Sequence, residues 1–73
     1  MTAAEFELLT EADAECLLRR RLKTFIATGA DPCEALILAA QVELPEAAVV
    51  ELLQLGFAGG LIHRLLYAVE RAA

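Results

Sequence analysis

Helix start and stop signals recur so closely along this chain of 73 residues that only short helices joined by tight turns fit between them. Thr2 with Glu5 forms a capping-box pattern, in which the two side chains satisfy free amides of a first helical turn. The segment 31–34, with an aspartate before a proline, is a stronger start, because proline at the first helical position has a suitable φ angle. Gly29 and Gly56 can supply the left-handed residue that often follows a helix. The sequence therefore predicts an all-α chain.

These signals predict helices at about 3–9, 11–28, 32–42, 45–55 and 61–72. Thr10, followed by Asp13, is a second start, so either a short helix precedes a long one or one continuous helix covers both segments. Such short connections place consecutive helices against each other. The expected fold is a single domain, 1–73, in the form of a compact bundle of four to five short helices with tight turns.

Two of the predicted helices are strongly apolar. The helix at 32–42 has little polar face, so we expect it to be central and buried on nearly every side. The helix at 61–72 is amphipathic instead. Its predicted apolar face consists of Leu61, Ile62, Leu65, Leu66 and Val69.

Apolar residues make up 59% of the chain, against roughly 45–50% in ordinary globular domains. A domain this short buries only about 60% of the surface that its unfolded chain exposes. Alanine on helix surfaces accounts for some of the excess, but leucine, isoleucine and valine must also remain exposed. Large exposed apolar patches usually mark interfaces. We therefore expect either a protein partner or a homo-oligomer.

The formal net charge of −5 disfavours nucleic acid and anionic membrane surfaces as partners, because both are negatively charged. The longest segment without Asp, Glu, Lys or Arg, 52–63, is too short to span a bilayer. The N-terminus has no basic region followed by an apolar core, so no signal peptide is expected. The predicted location is cytoplasmic, with no membrane partner.

The segment 45–69 carries more leucine and valine than one inward-facing stripe requires, which places the expected interaction surface there. The candidate partner-binding residues are Val50, Leu53, Phe57, Leu61, His63, Leu65 and Tyr67. In the basic run at 19–23, Arg19, Arg20 and Lys23 are candidates for contact with an acidic partner. Consecutive arginines on a helix cannot all point one way, so the run is also typical of a solvated helix face.

No catalytic centre, cofactor or metal site is expected. His63 is the only histidine, and a catalytic Cys–His pair would need further groups to orient the imidazole and stabilise an oxyanion. A tetrahedral metal site needs four clustered ligands. Cys16 and Cys33 show no CxxC spacing, and we expect reduced thiols packed among apolar neighbours, with a disulfide between two helices as the alternative.

Residues 35–54 resemble a helix-turn-helix unit, the DNA-reading motif of many repressors. Ala39 matches the small residue in the first helix of that family, whereas Glu43 stands where its turn favours glycine. The apolar packing positions of the motif fall on Leu38, Val42, Leu44, Val49 and Leu52. The resemblance implies a second helix that enters the major groove of DNA.

The positions of that second helix that would face DNA are unusual. They fall on Pro45, Glu46, Ala47, Val50, Glu51 and Gln54. Recognition helices present basic and polar side chains to bases and phosphates, whereas two of these residues are carboxylates. The acidic helix therefore makes protein a better-matched partner than DNA.

In size, charge and apolar excess, the chain also resembles the very small acidic helical chaperones and adaptors of bacterial secretion systems and phage assembly. The function that we expect is that of a non-enzymatic helical protein–protein interaction module. Such a module would either self-associate or act as an adaptor or chaperone for another chain. The alternative is a helix-turn-helix transcriptional regulator that binds DNA.

Overall fold

The computed structural model describes the backbone of residues 1–72 and the side chains of residues 1–68. These residues form a compact all-α bundle, as the sequence predicts. Its helices are α1 (Ala3–Glu7), α2 (Glu11–Ala27), α3 (Pro32–Ala40), α4 (Glu46–Gln54) and α5 (Gly59–Ala72). The predicted place of Val69 on the apolar face of the last helix lies outside the described side chains.

The predicted helix starts are present as hydrogen-bonded caps. The Thr2 hydroxyl accepts from the Glu5 amide at 3.1 Å, and the Glu5 carboxylate accepts from the Thr2 amide at 3.3 Å, which completes the capping box. The Thr10 hydroxyl accepts from the Asp13 amide at 3.1 Å, so the N-terminal segment is divided into two helices and is not one continuous helix.

Two helices end at glycines, as predicted. Gly29 and Gly56 have φ angles of 111° and 93°, in the left-handed region that side chains other than glycine rarely adopt. At the second stop, the amide of Phe57 donates to the Leu52 carbonyl at 3.1 Å and the amide of Gly56 donates to Leu53 at 3.0 Å. This pair of bonds is the Schellman motif, and α2 ends in the same way.

Two details at helix starts differ from the sequence prediction. Pro45 is the residue before α4 and not its first residue. Helix α5 begins at Gly59, two residues earlier than predicted. The carboxylate of Glu34 accepts from the Gly59 amide at 2.8 Å and thereby caps this earlier start of α5.

The core lies where α2 packs against α3 and α4, and α5 closes the bundle against the same two helices. Its buried apolar residues are Phe25, Ala30, Ala35, Leu38, Ala39, Leu44, Val49, Leu53 and Ile62. Helix α3 contributes only one side to this core. The expectation that α3 is buried on nearly every side is therefore wrong, because the bundle is too small to cover it with neighbours all round.

Arg21 is the buried polar residue of the core, with only 5% of its surface exposed. Its Nε donates to the Ala39 carbonyl at 3.1 Å, and its Nη2 lies 3.1–3.3 Å from the carbonyls of Leu38, Gln41 and Leu44. The guanidinium thus satisfies carbonyls at the C-terminal end of α3 and in the turn to α4. The interpretation of the whole basic run as a solvated face does not hold at this position.

Arg21 stays charged although its surroundings lower its pKa. Burial lowers the pKa of Arg21 from its ordinary value, the negative charge of Glu46 raises it, and Arg20 lowers it. An arginine with a lowered pKa is still protonated at any pH at which proteins fold. A fixed positive charge therefore lies at the C-terminus of α3, where the helix dipole favours it.

Candidate functional site

The solvent-facing side of α3 is entirely apolar among its exposed residues. Leu36 and Ile37 retain 59% and 56% of their surface, and Cys33 and Ala40 are exposed beside them at helical spacing. We call these four residues the α3 apolar face. A surface helix normally turns charged and polar residues outward, so this face is unusual for a helix in contact with water.

A groove runs along one side of this face, between α2 and α3, and we call it the α2–α3 groove. It has a volume of about 440 Å³. Its lining residues are Glu11, Ala14, Glu15, Leu18, Arg19, Leu22, Leu36, Ala39 and Ala40. The floor is aliphatic, and the charged side chains that line it all come from α2. The groove therefore offers an apolar surface beside a row of charged side chains.

The charged row of α2 has a definite order. Glu11, Glu15 and Arg19 line the groove, and Lys23 follows one turn later as a further exposed residue. The carboxylate of Glu15 is hydrogen bonded to Arg19, as the spacing of four residues predicts. Because this pair is exposed, it adds little to the stability of the helix. We call these four residues the α2 charge row.

A smaller pocket of about 240 Å³ lies on the other side of α3, next to α5. Ile37, His63 and Arg64 contribute to its lining. The two helices meet here at Gly59, where an added Cβ would lie 2.7 Å from the Cβ of Glu34. Glycine at this position therefore allows the close approach that positions α5 beside α3.

The predicted partner-binding residues of the segment 45–69 are only partly available. Phe57, Leu61 and Leu65 are exposed to 38%, 45% and 40%. Leu53, in contrast, belongs to the core and is 9% exposed, so it does not form part of an accessible surface. Val50 is half-buried and packs against the core.

His63 and Tyr67 lie next to each other on α5, as their spacing predicts. The centroids of their rings are 5.1 Å apart, and the ring planes are inclined at 45°. His63 is half-buried and Tyr67 is 36% exposed. The pair therefore places together on α5 two rings that each have an apolar body and a polar tip.

The basic candidates on α2 are accessible. Arg19, Arg20 and Lys23 are all exposed, and they differ in this from Arg21.

Cys16 and Cys33 are free, so the disulfide alternative is not realised. Both thiols are exposed, and the expectation that they pack among apolar neighbours is wrong.

The apolar residues that carry the helix-turn-helix resemblance are buried, as that motif requires. The two helices themselves are not arranged as close neighbours. Leu38, Ala39, Val42, Leu44 and Val49 are buried. However, the backbones of α3 and α4 come close to each other at few positions, and both helices pack against α2. The second helix presents Ala47, Glu51 and Gln54 to solvent, with Glu46 half-buried.

Sequence reasoning missed the α3 apolar face. The signal for it was the spacing of Cys33, Leu36, Ile37 and Ala40, which lie on one side of a helix. That side is opposite to the one formed by Ala35, Leu38 and Ala39. A helix with two apolar sides is buried only if the domain has enough other helices to cover both.

Within the side chains that the structure describes, no three His, Cys, Asp or Glu residues are grouped so that they could hold a metal ion. None of the described helices is both long enough and apolar enough to cross a bilayer. Comparison with protein-family models, with curated proteins and with solved structures finds no match to this chain.

Proposed function

We propose that this protein is a protein–protein interaction module that binds another polypeptide chain through the α3 apolar face. The observation that carries the proposal is the exposure of Leu36 and Ile37, each more than half accessible to solvent at the centre of a helix with no exposed polar side chain. The fold is held together without them, since the core is formed by the opposite side of α3.

Burial of the α3 apolar face would contribute a substantial part of the free energy of binding. Complete burial of a leucine or isoleucine side chain contributes about 1.5–3 kcal/mol, and more than half of each side chain remains to be buried. Leu36 and Ile37 together can then contribute roughly 2–3 kcal/mol. That corresponds to a change of roughly 30- to 150-fold in a dissociation constant, which is the effect of a binding hot spot.

The residues flanking the face extend the proposed surface on both sides. On one side lies the α2–α3 groove, and on the other lies the pocket next to α5, to which His63 and Arg64 contribute. An apolar centre surrounded by charged and aromatic residues is the usual composition of a protein interface. DNA binding remains the alternative from sequence, and the carboxylates of Glu46 and Glu51 on α4 oppose it.

A photo-crosslinking residue in place of Ile37 tests the proposal in the cells that produce this protein. We expect a discrete adduct to a polypeptide, either another protein or a second copy. The same residue in place of Glu51, which is exposed on α4, is the control and is expected to give much less product. Absence of any discrete adduct at Ile37 would overturn the proposal.

The double variant Leu36→Lys with Ile37→Lys is expected to keep its helical content, because both side chains point largely into solvent. An apolar dye that fluoresces on binding should give a several-fold weaker signal with this variant than with the unchanged chain, because the two large exposed apolar side chains of the α3 apolar face are replaced by charged ones. Circular dichroism checks the fold, and dye titration checks the patch. Equal dye binding by both proteins would show that the patch lies elsewhere.

A further inference from the structure

We infer that the α2–α3 groove binds a second copy of this chain, with the two α2 helices antiparallel. This inference rests on the proposed function and names the partner. It follows from the order of charges along α2. Glu11, Glu15, Arg19 and Lys23 follow one another at intervals of four residues, so that two negative charges precede two positive ones.

An antiparallel pair of such rows is complementary. With the twofold axis near position 17 of α2, Glu11 lies opposite the partner's Lys23, and Glu15 lies opposite the partner's Arg19. Each contact occurs twice, as the symmetry of a twofold dimer requires. A partner with charge of a single sign would match one half of the row and be repelled by the other half. The charge order therefore favours a second copy over a uniformly basic or acidic segment.

The apolar residues of the groove fit the same arrangement. Leu18 lies beside the proposed axis, so the two copies of this residue would meet there. Leu22 and Leu36 flank it on the groove floor, where they would be covered by the other copy. The intrahelical bond between Glu15 and Arg19 is exposed, so its exchange for an equivalent bond between copies costs little.

Two charge-reversed variants test the inference. Glu11→Lys with Glu15→Arg makes the row entirely positive, and Arg19→Glu with Lys23→Glu makes it entirely negative. We expect the unchanged chain to be a dimer in sedimentation equilibrium, with a dissociation constant that is raised at least tenfold in each variant alone. An equimolar mixture of the two variants is expected to restore the dimer, because the rows are then opposite in sign.

Matched controls separate this effect from that of net charge. Glu7→Lys with Glu51→Lys, and Arg20→Glu with Arg64→Glu, give the same net charges as the two test variants but change exposed residues outside the groove. Both controls are expected to remain dimeric. Circular dichroism confirms that each variant is helical. If a double charge reversal unfolds the chain, the single variants Glu15→Arg and Arg19→Glu provide the same test, first each by itself and then as an equimolar mixture.

An unchanged chain that is monomeric up to about 1 mM would overturn the second-copy inference. It would also be overturned if each charge-reversed variant alone formed a dimer with the same dissociation constant as the unchanged chain. A mixture of the two variants that stays monomeric would overturn it as well. These outcomes leave the proposed function standing if Ile37 crosslinks to a different protein. If the chain forms the dimer but a crosslinking residue in place of Ile37 gives no discrete adduct, the proposed role of the α3 apolar face is contradicted and the second-copy inference is not.

Discussion

Replacement of Arg21 with leucine is expected to lower the free energy of unfolding by about 3 kcal/mol, because the carbonyls bound by the charged guanidinium would lose their donor in the core. Four carbonyls lie within 3.1–3.3 Å of its nitrogens. A chain of this length has a total stability of only about 4–11 kcal/mol. The melting temperature should therefore fall by roughly 12 °C or more.

Thermal and urea unfolding followed by circular dichroism measure this change. Arg20→Leu is the matched control, since Arg20 is exposed one position earlier, and its effect should stay within about 0.5 kcal/mol. The loss of unfolding free energy in Arg21→Lys is expected to lie between the losses in Arg21→Leu and Arg20→Leu, because an ammonium group cannot reproduce the planar fork of a guanidinium. Equal stability of the Arg21→Leu and Arg20→Leu proteins would show that the hydrogen bonds to the end of α3 contribute nothing.

The second large effect is expected at Gly59, where alanine should destabilise the chain by about 2 kcal/mol through overpacking. The added Cβ would lie 2.6 Å from Oε2 and 2.7 Å from Cβ of Glu34, so α3 and α5 must separate. Separation also weakens the 2.8 Å hydrogen bond between the Gly59 amide and the Glu34 carboxylate.

Gly60→Ala is the control for Gly59, because an added Cβ at Gly60 meets no atom within 4 Å. Alanine in a helix is favoured over glycine, so this variant should gain up to about 1 kcal/mol. Chemical denaturation of both variants measures whether each substitution raises or lowers the free energy of unfolding. A gain of similar size at Gly59 would mean that α3 and α5 are not as closely packed as described.

The helix boundaries could be predicted from sequence because their causes are local. The caps at Thr2, Thr10 and Asp31 and the stops at Gly29 and Gly56 each depend on residues within one turn. The start of α5 was missed because its amide is capped by Glu34, which lies 25 positions earlier in the chain. Spacing within a short segment cannot reveal such a contact.

The role of Arg21 and the exposure of α3 could not be derived locally for the same reason. Arg21 lies three residues after Leu18 and four before Phe25, on the side of α2 that faces the core, and this spacing was a signal for burial. Its partners, however, are carbonyls at the end of another helix. The α3 apolar face depends on which sides of that helix the others cover, and this is decided by the packing of the whole bundle.

The central claim, that a polypeptide covers the α3 apolar face, is tested most directly by the alkylation of the two cysteines. Cys33 belongs to that face, whereas Cys16 is exposed on α2 outside the groove lining, so one chain carries both probe and control. Mass spectrometry of the labelled chain gives the ratio of the two rates. We predict that this ratio, Cys33 over Cys16, is several-fold lower in the cells that produce the protein than in a dilute purified sample. An identical ratio in both settings would contradict the claim.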